Sequence, residues 1–408
     1  MNRPKSRPKN NLKPMINNSP MRFGITAFLV LVVCILLVVT GPWGHLVLVV
    51  PEPPPPPPVI AIPEPTPEPT PEPTPEPTPE PTPEPTPEPT PPPAVGGVNP
   101  LTGLPINEDF ERNRPIAISI SNDPAALPQN GVSSADIMYE FLIEGGWTRM
   151  LGIYQDFTHV PKVGSIRSAR HYTVEIVESF DAIFIHAGGS PRGYSEIRER
   201  GITNFDEVSG TRSEIYFRDR GRIGGKRLMH LHSLVVTGAR VSSNFPKYTF
   251  RKELKDGFNQ TFEFVDNGVP RGGATATTAV VPFSGAKSTT FTYDTNLNAY
   301  HASQKFSNRN AIPFTDANDN SKPAYTNVLV LKTSVTSLND GAGRQDVRTT
   351  GTGEGYFING GRYVEINWSR RDKASPFVYT LKNGNPVEFG EGKTYIAIIP
   401  TRQNVTFS

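Results

Sequence analysis

Cysteine is nearly absent from this sequence. The 408 residues contain one, Cys34, which lies in an apolar run near the N-terminus. Residues 99–408 therefore cannot form a disulfide framework, a cysteine-rich zinc site or a cysteine nucleophile. Net charge is also small there, since 35 Lys/Arg face 31 Asp/Glu. That excess is too slight to predict nucleic-acid binding.

Motifs for cofactors, metals and nucleophiles are missing as well. The sequence has no Gly-x4-Gly-Lys-Ser/Thr and no strand-linked Gly-x-Gly-x2-Gly, so we expect no nucleotide cofactor. His230 and His232, with His186 or Glu144, are conceivable metal ligands. No His-x3-His or His-Glu-x2-His spacing supports them, and we expect no metal and structural hydrogen bonds instead. Residues 188–192 depart from Gly-x-Ser-x-Gly at the last position, so no catalytic residue is assigned.

An uncharged apolar run follows a basic N-terminus. Residues 1–22 carry six Lys/Arg and no acid, and residues 23–40 carry no charge. As a helix, the second segment spans about 27 Å, close to the hydrocarbon core of a bilayer. The positive-inside rule predicts a single-pass signal anchor in the cell membrane, with a cytoplasmic tail and an extracytoplasmic globular part. A cleaved signal peptide and lipidation of Cys34 are the alternatives.

Residues 41–98 are predicted to form an interfacial segment and a proline-rich stalk. The tetrapeptide PEPT repeats seven times between residues 63 and 90. Proline at every second position removes backbone donors and favours polyproline II, at about 3.1 Å per residue. This pattern predicts a spacer that holds a domain away from the membrane. A low-complexity tether whose length does not matter is the simpler interpretation.

The globular part is predicted to be α+β, with two domains. In residues 99–274, short apolar runs alternate with helix-like stretches, which favours an α/β domain. Its strands are expected at 115–120, 137–142, 150–154 and 182–186. Residues 275–408 show strand-and-turn patterns, which favour a mainly-β domain. Its strands are expected at 291–293, 327–331, 355–358 and 363–368.

Two helices are expected in the α/β domain. Residues 169–180 place apolar side chains on one face, and Ser168 is the predicted N-cap. Residues 194–200 are the second helical stretch, preceded by Ser190 as a possible cap and Pro191 at the first helical position.

Each predicted helix follows a loop suited to an anion. The first loop (residues 164–170) contains two arginines, and the second loop (residues 186–192) contains two glycines. Free N–H groups at a helix start and arginine forks both favour phosphate or carboxylate. If both loops lie at one carboxyl edge of a sheet, they form a ligand site. The predicted anion-binding residues are Arg149, Arg167, Arg170, His186, Gly188, Gly189, Ser190 and Arg192.

The alternative interpretation is structural. The loops would then only cap helices, and the arginines would pair with Glu140, Glu144 and Asp156.

Several segments occur in the order of a known bacterial family. They are NPLTGLP at 99–105, VGSIRSAR at 163–170, DAIFIHAGGSP at 181–191 and GTGEG at 351–355. In these segments the chain resembles the YerB-like putative lipoprotein family, a domain of unknown function with an N-terminal and a C-terminal part. The resemblance covers residues 99–408 and implies a two-domain protein of the bacterial envelope, but no reaction. A lipoprotein would carry small residues before its lipidated cysteine, whereas Leu31, Val32 and Val33 precede Cys34.

Two functions of different classes fit this sequence. The first is a non-catalytic module that binds an anionic cell-wall component or a wall-synthesis protein. The second is an enzyme that acts on a phosphate- or pyrophosphate-linked wall precursor. The missing nucleophile and metal motifs favour the first function.

Overall fold

The computed structural model describes residues 96–222, 229–260 and 262–408. The predictions for residues 1–22 and 23–40, and for nearly all of 41–98, lie outside the described residues. Among the described residues, no helix is long and apolar enough to cross a membrane.

The α-helices of the described residues are short and lie in the N-terminal half. They are α1 Glu108–Glu111, α2 His171–Ser179, α3 Pro191–Glu199, α4 Met229–His232 and α5 Gly238–Asn244.

Strands alternate with these helices up to residue 265. They are β1 Gly97–Val98, β2 Pro105–Ile106, β3 Ile116–Ser121, β4 Ile137–Leu142, β5 Thr148–Tyr154, β6 Val163–Gly164, β7 Ile183–His186, β8 Asn204–Asp206, β9 Phe217–Arg218, β10 Leu234–Val236 and β11 Glu263–Val265.

Strands and turns make up the rest of the chain. The strands are β12 Ala274–Thr275, β13 Thr278–Ser284, β14 Lys287–Asp294, β15 Ala299–Phe306, β16 Ile312–Pro313, β17 Ala324–Tyr325, β18 Asn327–Thr333, β19 Val335–Ser337, β20 Gln345–Val347, β21 Gly351–Asn359, β22 Arg362–Arg370, β23 Val378–Leu381, β24 Glu388–Gly390, β25 Thr394–Pro400 and β26 Thr406–Phe407. The predicted α+β class and mainly-β C-terminal part are thereby confirmed.

The N-terminal half (strands β1 to β11) and the C-terminal half (strands β12 to β26) both contribute strands to one large mixed sheet. Within the described residues it has eleven strands, in the order β12-β22-β21-β18-β25-β4-β5-β3-β7-β8, with β23 beside β22. The halves join where β25 runs parallel to β4 and places Tyr395 opposite Met138. On the other side, β3, β7 and β8 are parallel, so their carboxyl ends share one edge.

The alternation of side chains along β4 separates the layers on the two faces of this sheet. Tyr139 and Phe141 point to one face. There the ring centroid of Tyr139 lies 6.1 Å from that of Phe180, and the ring centroid of Phe141 lies 5.4 Å from that of Tyr172 on α2. Glu140 points to the other face, where a second sheet of strands β16-β15-β14-β13-β26 packs. The core therefore fills both faces of β4.

The predicted helix starts have different outcomes. Ser190 is the N-cap of α3, and its Oγ accepts a hydrogen bond from the Gly193 N–H at 3.0 Å, as predicted. The predicted cap Ser168 is wrong, because α2 begins at His171 and Arg170 occupies the N-cap position. The Ser168 carbonyl instead accepts a hydrogen bond from the Arg149 side chain.

A fully buried ion pair connects the two sheets. The Lys287 ammonium lies 2.7 Å from the Glu140 carboxylate, and neither side chain is exposed. The other donors to this carboxylate are Asn122, Thr148, Thr289 and Tyr395. Burial alone would raise the pKa of Glu140, but the Lys287 charge and the hydroxyl donors lower it below its ordinary value. The carboxylate is therefore ionised and fully hydrogen-bonded.

We predict that Lys287→Met destabilises the unit Thr86–Ser408 by about 3–5 kcal/mol, because it leaves a buried carboxylate without its cation. The double variant Glu140→Gln/Lys287→Met should recover most of that loss. Urea unfolding measures the free energy of unfolding of the single and the double variant, with Lys382→Met as the control. Lys382 pairs with Glu354 on the surface, so its loss should cost under about 1 kcal/mol. A cost that small for Lys287→Met would contradict the prediction.

A second carboxylate lies where the halves meet, just before β4. Asp136 accepts hydrogen bonds from the Asn99 side chain at 3.1 Å and from the Gln155 N–H at 2.7 Å. Its backbone carbonyl accepts from the Thr394 N–H at 3.0 Å. Burial raises the pKa of Asp136 to about 6, although the Gln155 bond and the Lys393 charge oppose the rise.

This raised pKa predicts a pH-dependent stability. An acid whose pKa is higher in the folded than in the unfolded protein stabilises the fold at pH values below its unfolded-state pKa. This contribution is lost as the pH rises through its folded-state pKa. Between about pH 4 and pH 7, the wild type should therefore lose about 2–3 kcal/mol relative to Asp136→Asn. Urea unfolding across this range measures the difference. The same substitution at the exposed Asp266 serves as the matched control. A stability difference between wild type and Asp136→Asn that does not change with pH would refute the assignment.

Candidate anion-binding site

The two predicted loops meet at the carboxyl edge of the large sheet. The first loop follows β6, which belongs to a small separate sheet with β10 and β9. It then crosses the end of β3, where the Arg167 N–H donates to the Ser119 carbonyl at 2.9 Å. The Ala187 N–H donates to the Arg167 carbonyl at 3.0 Å, and the Ala169 N–H to the Gly188 carbonyl at 2.9 Å. The loops are therefore joined by backbone hydrogen bonds.

An internal carboxylate accepts a hydrogen bond from one donor of the second loop. Gly188 has a φ of +74°, a conformation that glycine adopts without strain, and its N–H donates to Asp206 at 2.6 Å. The Tyr194 hydroxyl donates to the other oxygen of Asp206 at 2.9 Å. Gly189 pairs with Ala169 in a backbone bridge. The chain itself thus provides the anion that the glycine loop was predicted to bind.

His186 is enclosed beside this loop. Its side chain has no exposed surface, and Nδ1 lies 2.9 Å from the Gly188 carbonyl. Nε2 lies 3.4 Å from the Asn204 side chain. Burial lowers the pKa of His186, against the raising effect of Asp206. The imidazole is therefore neutral and takes part in the internal hydrogen bonds of the edge.

Two of the predicted arginines face carboxylates. Arg170 donates from Nε and Nη2 to the two oxygens of Glu144, at 2.8 and 2.9 Å. Although burial raises the pKa of Glu144, this guanidinium lowers it below its ordinary value. Arg192 is half exposed, and its Nη1 lies 3.5 Å from Asp346, which also contacts His171 at 2.7 Å. For these two residues the structure shows ion pairs.

Arg149 is different, because it is a buried cation with no carboxylate partner among the described residues. It lies on β5 opposite Ser121, and only 8% of it is exposed. Nη1 donates to the Ser168 carbonyl at 2.7 Å, while the buried Nε has no partner. Burial and the neighbouring Arg170 charge lower the pKa of Arg149 to about 9, against the raising effect of the Glu144 charge. The group is still positively charged at neutral pH.

Arg167 also has no carboxylate within ion-pair distance in the described part of the chain. Its Nη2 lies 3.2 Å from His232 Nδ1. Burial lowers the pKa of Arg167, and the nearby Asp123 charge raises it. The Oγ of Ser165, two residues before, is buried without a partner. Buried polar groups of this kind usually bind water or a ligand.

The contact between Arg167 and His232 was not predicted from the sequence. These residues are 65 positions apart, and the sequence predicts structural hydrogen bonds for His232 without identifying a partner. His230 is exposed, and its carbonyl accepts a hydrogen bond from Arg218. Among the described residues, no group of three or more His, Cys, Asp or Glu side chains is placed to hold a metal ion.

Comparison with known proteins identifies the family. The model of the "Protein of unknown function (DUF3048) N-terminal domain" matches residues 101–250, and that of the C-terminal domain matches residues 279–396. "Putative lipoprotein YerB" of Bacillus subtilis (strain 168) is 28% identical over 311 residues, which cover 74% of this chain and 86% of the relative. The crystal structure of the Bacillus subtilis YerB protein is similar, with a TM-score of 0.65 and 25% identity, over 76% of this chain and 99% of that chain. The chain therefore belongs to the DUF3048 family, as the YerB-like segments of its sequence predicted.

Proposed function

We propose that this protein is a membrane-associated, extracytoplasmic module that binds an anionic component of the bacterial cell envelope through Arg149 and Arg167. The observation that carries the proposal is the buried Arg149 guanidinium, whose Nε has no hydrogen-bond partner and which forms no ion pair with a carboxylate of the described residues. An envelope location is supported by the name of the relative, "Putative lipoprotein YerB", and by the predicted anchor at residues 23–40.

The chemistry of the two side chains supports an oxyanion ligand. A guanidinium presents N–H donors in a planar fork that matches phosphate or carboxylate. Arg149 uses one nitrogen for the Ser168 carbonyl, and Arg167 uses one for His232, so each keeps other N–H groups for a ligand. A buried cation without a partner costs folding free energy, and an anion at this edge would offset that cost.

Binding is favoured over catalysis by the state of the nearby acids. A hydrolytic or transfer reaction needs an available base or nucleophile. Glu140 is enclosed with Lys287, and Glu144 is held by Arg170 through two hydrogen bonds. Both carboxylates are therefore engaged within the protein, so neither is available as the base of an enzyme that acts on a wall precursor.

The first test is the stability of the unliganded protein. Because Arg149 is buried and unpaired, Arg149→Gln should leave the free energy of unfolding unchanged or raise it by up to about 2 kcal/mol. Arg170→Gln should instead lower it by about 1–3 kcal/mol, because Glu144 loses two hydrogen bonds. Urea unfolding of the unit Thr86–Ser408 compares the two variants. A loss for Arg149→Gln as large as that for Arg170→Gln would mean that Arg149 is structural.

The second test is ligand-induced thermal stabilisation. Sulfate, pyrophosphate and a glycerol phosphate oligomer are added separately at increasing concentration. A ligand at a hundred times its dissociation constant adds about 2.7 kcal/mol, which shifts the melting temperature by about 2–4 °C for a unit of this size. The shift should be absent in Arg149→Gln and Arg167→Gln and present in the exposed control Arg402→Gln. No shift with any of the three anions would refute the proposed site.

A further inference from the structure

The His232 side chain contacts one of the two unpaired arginines. His232 Nδ1 lies 3.2 Å from Arg167 Nη2, and only 2% of His232 is exposed. A guanidinium donates hydrogen bonds and accepts none, so Nδ1 is the acceptor. The imidazole is therefore neutral, with its proton on Nε2. Among the described residues, no side chain or carbonyl accepts a hydrogen bond from this Nε2–H.

Charged groups from several elements surround this imidazole. They are Arg167 on the first loop, Arg222 before α4, His230 on α4 and Asp123 after β3. Burial lowers the pKa of His232, the three basic neighbours lower it further, and Asp123 alone raises it. Without a ligand, the environment therefore favours the neutral ring in which Nδ1 accepts from Arg167.

We propose that His232 is a third ligand-binding residue of this site, and that capture of an anion by Arg149 and Arg167 is coupled to the uptake of one proton by His232. This inference rests on the proposed function. It is carried by the direct contact between Arg167 and His232, which places an anion on Arg167 next to the imidazole.

The coupling follows from the hydrogen bonds that each state allows. A negative charge beside a titratable base favours its protonated form. The proton comes from solvent and binds Nδ1, so that this nitrogen can no longer accept the hydrogen bond from Arg167 Nη2. Arg167 is thereby released to donate to the anion, and the imidazolium adds a donor and a positive charge. No covalent bond forms or breaks in this step.

The sign of the pH dependence follows from linkage. The bound anion raises the pKa of His232 above its value in the free protein. Affinity should therefore increase as pH falls through the bound-state pKa, by up to about tenfold per pH unit, and become constant below the free-state pKa. The change should lie within roughly pH 5–8, where histidine titrates.

Calorimetric titration of the full-length chain with sulfate tests the coupling. Sulfate keeps its charge throughout this range, so any protons exchanged belong to the protein. Titrations in two buffers of different ionisation enthalpy should give an uptake of up to one proton per sulfate in the wild type. The same uptake is expected in His230→Gln, a neighbouring exposed histidine. His232→Gln should take up none and should bind sulfate with an affinity that does not change with pH.

Two results would overturn the inference in distinguishable ways. Proton uptake that persists in His232→Gln, or pH-independent binding by the wild type, would remove His232 from the coupling and leave the anion site in place. No sulfate binding by the wild type at any pH would overturn the anion site together with the inference. In case His232→Gln does not fold, NMR titration of His232 in the wild type provides a second measurement. Its pKa must rise when sulfate is added.

Discussion

The Glu140 carboxylate is the constraint on which the arrangement of the two halves depends. It lies in the middle of the fold and accepts hydrogen bonds from both halves, so neither half satisfies it alone. Its ion pair with Lys287 fixes the second sheet on the large sheet. Thr148 donates to this carboxylate from the first position of β5, and the next residue, Arg149, points to the opposite face. The buried network thus determines where the unpaired arginine lies.

At the carboxyl edge of the large sheet, some cations and backbone N–H donors have a carboxylate partner in the described part of the chain, and others have none there. Arg170 and the Gly188 N–H have partners from the chain, Glu144 and Asp206. Arg149 has no such carboxylate partner among the described residues. Charges buried without partners reduce stability and cluster at functional sites. Because Arg170 is paired with a carboxylate and the neighbouring Arg149 is not paired with any described one, we interpret this edge as a candidate ligand site rather than as ordinary helix capping.

Much of the fold could be predicted because local patterns decide local structure. The apolar run at residues 137–142 became β4 with those same bounds, and Ser190 caps α3 as its side-chain chemistry predicts. The Ser168 cap failed because Ala169 pairs with Gly189 in a backbone bridge and Arg170 is extended, so the helix begins only at His171, and no local pattern encodes that bridge. The pairing of β25 with β4 is equally invisible in the sequence, since it joins segments more than 250 positions apart.

The sequence by itself determined the family, the α+β class, the position of several strands and the residue types of two loops suited to an anion. Only the tertiary structure decided which of those residues are already neutralised. Glu144 reaches Arg170 across 26 positions, and His232 reaches Arg167 across 65. Electrostatic partnership depends on distances of a few ångströms, and these are set by sheet order and packing rather than by spacing along the chain.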